Sequence, residues 1–235
     1  SPASNLFKLT SKSSFLPLKI FNFVVGIIFI STLQNNTFST LFIGQNCIKL
    51  SRVDSTNNFL KNLLTNSEPL AEGTVIMAEE QFSGRGQQHS QWQSEPGKNL
   101  TFSCYLRPIF LKAAHQFYLN MAVCLGVYSA FKSLYNVDLD IKWPNDIYYK
   151  DKKLGGILIE NVLQGSQIKQ CIVGIGLNIN QAHFPTELEE RAVSLCQILQ
   201  TDVQIMPILQ ELCKQIEVHY FKVKEGKFSW LKERY

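Results

Sequence analysis

At 235 residues the chain is long enough to bury a sizeable core as one large domain or two small ones, and 45% hydrophobic against 18% charged residues exclude a disordered protein. The formal charge of +4 belongs to the N-terminal stretch, where residues 1–53 carry Lys8, Lys12, Lys19, Lys49 and Arg52 but no acid, leaving 18 cations against 19 acids beyond. A nearly neutral body of this kind argues against a nucleic-acid partner.

The first candidate element is the apolar run at 20–33, IFNFVVGIIFISTL, which follows Lys19 and is interrupted by Asn22, Ser31 and Thr32. It is shorter than the roughly 20 residues of a membrane-spanning helix. Three readings stay open for residues 1–40: an appended segment without catalytic role, a targeting or anchoring signal, or an element of the core. Membrane attachment is not expected unless residues 16–33 anchor the chain, and the body from residue 41 reads as a cytoplasmic domain. Its six cysteines show no CxxC pair, and apolar neighbours around Cys104, Cys124 and Cys171 point to buried free thiols rather than a disulfide or zinc framework.

From residue 41 the pattern becomes regular. LFIGQNCIKL reads as a strand, and Asp54 or Ser55 then caps a helix with Phe59, Leu60, Leu63 and Leu64 on one face. GTVIMAEEQ (73–81) and KNLTFSCYL (98–106) read as strands, the second with Leu100, Phe102, Cys104 and Leu106 on one side. Helical spacing runs from about 112 to 135. Three β-prone runs follow, DLDIKWPNDIYYK, KKLGGILIENVL and IKQCIVGIGLNIN, the last two joined as a hairpin by QGSQ at 164–167. Helices are expected at 186–200 and 206–224. The layout is α+β: a mixed sheet packed with helices, too irregular for a doubly wound parallel fold.

Four stretches hold groups suited to chemistry. Gly84-Arg85-Gly86 can place amide N–H groups and a planar guanidinium on an anion, yet as a free-standing motif it also fits a plain surface turn. It completes neither a dinucleotide fingerprint, since His89 stands where a third glycine is needed, nor a Walker A loop. Lys142-Trp143-Pro144-Asn145-Asp146 puts a lysine and a carboxylate at a strand tip, suited to substrate orientation, a magnesium contact or an ordinary ion pair. Lys153 precedes Gly155 and Gly156, which let a ligand or another backbone come close. In GIGLNIN, Gly174, Gly176, Asn178 and Asn180 fall on one strand face, where the glycines leave room for a flat ring and an asparagine amide can read an adenine edge. A Ser-His-Asp hydrolase built on Ser83, His89 and Ser90 is disfavoured, because there is no GxSxG elbow.

In order, DSTN (54–57), AEEQFSGRGQQHSQW (78–92), KWPND (142–146), KLGGILIE (153–160) and GIGLNIN (174–180) resemble the motifs of the biotin–protein ligases. That resemblance covers about residues 41–235 and implies a catalytic α+β domain of the class II aminoacyl-tRNA synthetase-like type. The implied reaction joins biotin and ATP, with Mg²⁺, into biotinyl-5′-adenylate, then transfers biotin to a lysine of a biotin carboxyl-carrier domain of a carboxylase. The implied binding set begins with Ser55, Thr56 and Gln81, on the ureido ring of biotin, and includes Asn57. Gly84, Arg85, Gly86 and Gln87 would form a loop over biotin and the adenylate phosphate, and Trp92 would cover the biotin tail and adenine region. Lys153 would meet the biotin carboxylate and α-phosphate, Gly156 would close against biotin with Gly155 in the same binding set, and Asn178 would read adenine. Lys142, Asn145 and Asp146 would position phosphates, magnesium or the incoming lysine, so that Lys153, Arg85, Lys142 and Asp146 form the implied catalytic group.

Three departures from the family pattern stand out. Gln87 occupies the place of a second arginine, and no glycine stands near His89. No helix-turn-helix precedes the core, so repressor function is not expected. The chain ends at KFSWLKERY, where many relatives add an SH3-like module, implying a minimal form or a truncation. Homodimerisation is left open, as are a non-catalytic biotin-binding role and a lipoate-type ligase on the same scaffold.

Overall fold

The computed structural model of the chain describes residues 30–33, 38–66, 69–87 and 90–235. Most of the 20–33 apolar run and His89 therefore lie outside the described residues. The strands are β1 (Ile30–Leu33), β2 (Cys47–Val53), β3 (Val75–Gln81), β4 (Gly84–Arg85), β5 (Gln91–Trp92), β6 (Leu100–Leu106), β7 (Asp140–Lys142), β8 (Asp146–Tyr149), β9 (Lys152–Gln164) and β10 (Gln167–Leu177). The helices are α1 (Thr56–Asn66), α2 (Gln116–Tyr135), α3 (Thr186–Glu189), α4 (Leu195–Leu199), α5 (Ile205–Lys224) and α6 (Phe228–Arg234).

Eight strands form one mixed sheet in the order β1-β2-β3-β6-β10-β9-β8-β7, while β4 and β5 make a separate two-stranded ribbon. Only β2 and β3 pair in parallel, which requires a crossover, and α1 supplies it. Leu60 and Leu63 of α1 bury against Ile48, Leu50, Ile76, Ala78, Tyr105 and Ile172 on one face of the sheet. The opposite face carries the larger core, in which α2 and α5 lie over Val75, Phe102, Val173 and Ile175. At their contact Gly126 approaches so closely that a Cβ there would stand 2.9 Å from the Ile216 Cα. Helices on both faces bury every residue of β6, so the alternation predicted for 98–106 selects which core a side chain joins rather than core against solvent.

Several elements differ from expectation. The sheet takes in Ile30–Leu33, antiparallel to β2, and so extends beyond residues 41–235. The strand expected across 41–50 begins only at Cys47, because Gly44 turns the chain with a φ of 86°. The backbone N–H groups of Leu41, Phe42 and Ile43 instead donate to the buried Glu217 carboxylate on α5, at 2.7, 2.8 and 3.0 Å. KWPND lies in the turn between β7 and β8, which split the first β-prone run in two. The helix expected over 186–200 is broken into α3 and α4, where Ser194 starts α4 with a reciprocal capping box to Gln197. The 164–167 hairpin is present, with Gly165-Ser166 as its turn. All six cysteines are buried free thiols, and burial pushes Cys47 up to about 11 and Cys124 to about 12.

Candidate active site

On the α1 face, where β3 and β10 end and β9 begins near the N-terminus of α1, lies a cavity of about 380 Å³. Its walls come from five separate stretches of chain: residues 55–57, the Gln81–Trp92 loop, the 143–146 turn, β9 from Lys153 to Leu158, and Gly174–Gly176. The start of α1 is fixed by a buried polar network. The Gln81 amide oxygen accepts from the Thr56 N–H (2.8 Å) and hydroxyl (3.0 Å), which turns its amino end toward Gly84. Ser103 Oγ donates to Asn57 Oδ1 at 2.5 Å and lies 2.7 Å from Thr56 Oγ1. Asn57 Nδ2 donates to Glu160 Oε2 at 2.8 Å. Such a network, satisfied at each of these atoms, sets the entry of α1 rigidly.

Opposite it, Lys153 Nζ and Asp146 Oδ1 form an ion pair of 2.7 Å at the junction of β8 and β9. Their turn is strapped from several sides: Asn120 Nδ2 and the Tyr235 hydroxyl (2.7 Å) both donate to the Pro144 carbonyl. Asn145 donates through Nδ2 to the Ile157 carbonyl, and its own carbonyl accepts from Ile157 N at 3.0 Å. Gly156 sits beneath the ion pair, where a Cβ would meet Asp146 Oδ1 at 3.4 Å, an ordinary contact. Nothing in the protein itself demands glycine there, so the space it leaves belongs to the cavity. Gly155 differs: a Cβ would fall 2.5 Å from the Gly176 carbonyl oxygen, so this glycine serves the close approach of β9 and β10.

The Gly-Arg-Gly loop folds over the cavity as the β4–β5 ribbon. A Cβ at Gly84 would lie 2.3 Å from the Trp92 carbonyl oxygen, and one at Gly86 2.3 Å from Ser90 Oγ. Arg85 donates to Asn58 Oδ1 (2.8 Å) and forks onto Glu160 (3.0 and 3.3 Å). The flat ring that fills the room above Gly176 is the protein's own: the Trp92 indole, which a Cβ at Gly176 would meet at 2.5 Å. Trp92 Nε1 is buried without a hydrogen-bond partner. A buried N–H of this kind at a cavity wall suits a ligand acceptor.

Twelve residues of the implied site thus meet at the cavity: Ser55, Thr56, Asn57, Gln81, Arg85, Gly86, Gln87, Trp92, Asn145, Asp146, Lys153 and Gly156. Gly84 and Gly155 support it from behind. Two residues are placed elsewhere. Lys142 sits over the Tyr148 ring at 4.9 Å and does not line the cavity. The strand ladder ends at Leu177, although the Asn178 N–H still donates to the Leu154 carbonyl at 2.8 Å, and Asn178 does not line the cavity. Its buried side chain donates to the Val193 carbonyl at 3.2 Å, strapping the chain before α4 to the end of β10. Sequence reasoning missed Ser103 and Glu160. The alternation of Thr101 and Ser103 with apolar neighbours on β6 was a signal for the first; a lone acid at the end of GILIE gave little for the second.

The profile of the Biotin/lipoate A/B protein ligase family matches residues 50–178, more than half of the chain and a span that contains every wall of the cavity. The chain belongs to that family. Among relatives of the biotin/lipoate ligase family, the bifunctional ligase/repressor BirA of Bacillus subtilis is 34% identical over 184 residues, covering 77% of this chain and 55% of the relative. The biotin–[acetyl-CoA-carboxylase] ligase of Paracoccus denitrificans is 34% identical over 134 residues, covering 55% of this chain and 53% of that one. The chain therefore spans about half the length of these curated relatives. A biotin protein ligase from Aquifex aeolicus, solved in complex with biotin and ATP, superposes with a TM-score of 0.70 at 33% identity, over 80% of this chain and 75% of that one. The α+β fold is that of the biotin protein ligases.

Proposed function

We propose that this chain activates biotin with ATP as biotinyl-5′-adenylate and passes the biotinyl group to a lysine of a biotin carboxyl-carrier domain. The observation that carries the reading is one cavity that gathers a polar network for a neutral ring, a lidding loop with its arginine, and the Lys153–Asp146 pair. Supporting it, 80% of the chain follows the fold of an enzyme solved with biotin and ATP.

In the first step a biotin carboxylate oxygen bonds to the α-phosphorus of ATP as the bond to the pyrophosphate oxygen breaks. Negative charge grows on the α-phosphate oxygens, and the Lys153 ammonium, a cation of the cavity wall, would stabilise it. The Thr56–Gln81–Ser103 network holds the far end of the substrate, converting a bimolecular encounter into a positioned one. In the second step the acceptor lysine amine attacks the acyl carbon, an amide forms and AMP leaves with the bonding pair. Asp146, at the cavity wall beside Lys153, is placed to take the proton that the amine gives up. A magnesium ion held with the ATP phosphates would neutralise their charge, and Asp146 is the carboxylate available to it; such an ion needs only one or two carboxylates beside phosphate oxygens.

The test is incubation of the purified protein with biotin, ATP, Mg²⁺ and a carrier domain, following adenylate and pyrophosphate, with lipoate as competitor. Formation of biotinyl-adenylate that lipoate does not suppress supports the reading. Absence of both adenylate and labelled carrier would sink it.

A further inference from the structure

One backbone oxygen on the cavity turn carries two side-chain donors. The Pro144 carbonyl accepts from Asn120 Nδ2 on α2 and, at 2.7 Å, from the hydroxyl of Tyr235, which follows α6. The seat of Tyr235 is set by α6, on which Phe228, Leu231 and Tyr235 fall along one helical face. Phe228 stacks on Tyr118 of α2 with ring centroids 4.1 Å apart, Leu231 is buried, and the Tyr235 ring meets Phe117 edge-on at 5.6 Å. Burial pushes the Tyr235 phenol up, with the Cys124 thiol adding to it, so the group keeps its proton and donates.

The turn needs an outside hold. It joins β7 and β8, which share three residue pairs, and β7 is the last strand of the sheet. So short a hairpin has little stability of its own. Yet its residues Trp143, Pro144, Asn145 and Asp146 line the cavity, and Asp146 bears the ion pair with Lys153. Asn145 ties the turn to β9 through Ile157, and the Pro144 oxygen ties it to the helices of the other sheet face. We infer that Tyr235 is a positioning residue: its hydroxyl fixes the Pro144 carbonyl and, through it, the place of Asp146 at the cavity wall. The ring packs on Phe117 and the hydroxyl holds the turn, so the two tasks can be separated. That hold stands on these contacts alone; its effect on catalysis rests on the proposed function.

Tyr235→Phe keeps the ring on Phe117 and removes the hydroxyl alone. In the ligand-free full chain, amide exchange at Ile157, whose N–H donates to the Asn145 carbonyl at 3.0 Å, should rise about ten-fold as the turn opens more often. Exchange at Leu231 in α6 should stay as it is. A tyrosine that served only to seat α6 would give the opposite pattern. With biotin and ATP, kcat for adenylate formation should fall about ten-fold while KM for biotin stays within about two-fold, since the Thr56–Gln81–Ser103 network is untouched. Asn120→Leu removes the other donor on the same oxygen; it should act alike, and it serves if Tyr235→Phe does not fold. The double variant leaves that oxygen neither donor and should lose more than the product of the two single losses. Unchanged Ile157 exchange in folded Tyr235→Phe, or raised exchange with unchanged kcat, would overturn the inference. So would single losses that simply multiply in the double variant. Should the wild type make no adenylate, the proposed function fails while exchange at Ile157 still decides whether Tyr235 holds the turn.

Discussion

Gly174 and Gly176 stand two residues apart on the same face of β10, yet adding one methyl group to each should break different things. At Gly174 a Cβ would lie 2.3 Å from Asn57 Oδ1, 2.9 Å from its Cγ and 3.0 Å from Nδ2. Asn57 is buried and committed at both ends, to Ser103 and to Glu160, so it cannot retreat without losing a buried hydrogen bond. Overpacking of a filled core costs about 1–3 kcal/mol, and a stranded buried polar group about as much again. Gly174→Ala should therefore lose about 2–6 kcal/mol, seen as roughly 4–24 °C in Tm for a domain of this size. At Gly176 the obstacle is the Trp92 ring, 2.5 Å from a Cβ at its Cε2, which must withdraw by about 1 Å to reach ordinary contact. That ring belongs to a short surface ribbon that can give way. Gly176→Ala should cost less than about 1 kcal/mol of stability, yet weaken biotinyl-adenylate binding about ten-fold as the cavity wall moves. Thermal denaturation and calorimetric titration with a non-hydrolysable adenylate analogue read the two effects separately. Equal Tm losses in both variants, or undiminished ligand affinity in Gly176→Ala, would refute the placement of Trp92 on that glycine.

Lys153→Ala should abolish adenylate formation, by at least about a hundred-fold, while leaving the fold. Its half-exposed pair with Asp146 contributes only about 0–1 kcal/mol, so a large drop in Tm would contradict its assignment as a functional rather than structural cation. Gln87→Arg adds a second cation to the loop at a position that lines the cavity, and adenylate release measured in a chase should slow about ten-fold; unchanged release would remove Gln87 from the account. Burial holds the His219 ring below its ordinary 6.5, with the Gln215 carbonyl opposing that and Lys222 adding to it. The unfolded chain then takes up a proton more readily, so the stability this ring gives is complete above pH 6.5 and is lost as pH falls below it. His219→Gln should flatten the fall of the urea midpoint on that acid side, and an unaltered pH profile would show that another group controls it.

The strands β3, β6, β9 and β10 and the two long helices were legible because their apolar periods are long and their boundaries carry caps, glycines or tight turns. The site was legible as five motifs, and the fold brings all five to the cavity wall because each lies at a strand end or helix start on one side of the sheet. What failed was geometry that a period does not encode. Asn178 continues the alternation of Gly174 and Gly176, but its side chain is taken by the Val193 carbonyl and does not line the cavity. Lys142 pairs with Asp146 across β7 and β8 but leans along the strand over Tyr148, so adjacency in the motif did not bring it to the cavity. Residues 41–46 looked extended because Leu41, Phe42 and Ile43 form an apolar run, whereas Gly44 and the Glu217 carboxylate make them a loop. Gly155 and Gly156 read alike in sequence, and only the distance to the Gly176 carbonyl separates the one that packs from the one that opens space. Glu160 was hidden for the same reason: its partner Arg85 is 75 residues away.

The most direct measurement is the intact mass of a biotin carboxyl-carrier domain after incubation with this protein, biotin, ATP and Mg²⁺. The account predicts a mass increase of one biotinyl group on a single lysine, dependent on ATP and lost with Lys153→Ala. An unmodified carrier mass under saturating biotin and ATP, from a protein shown to be folded, would contradict it.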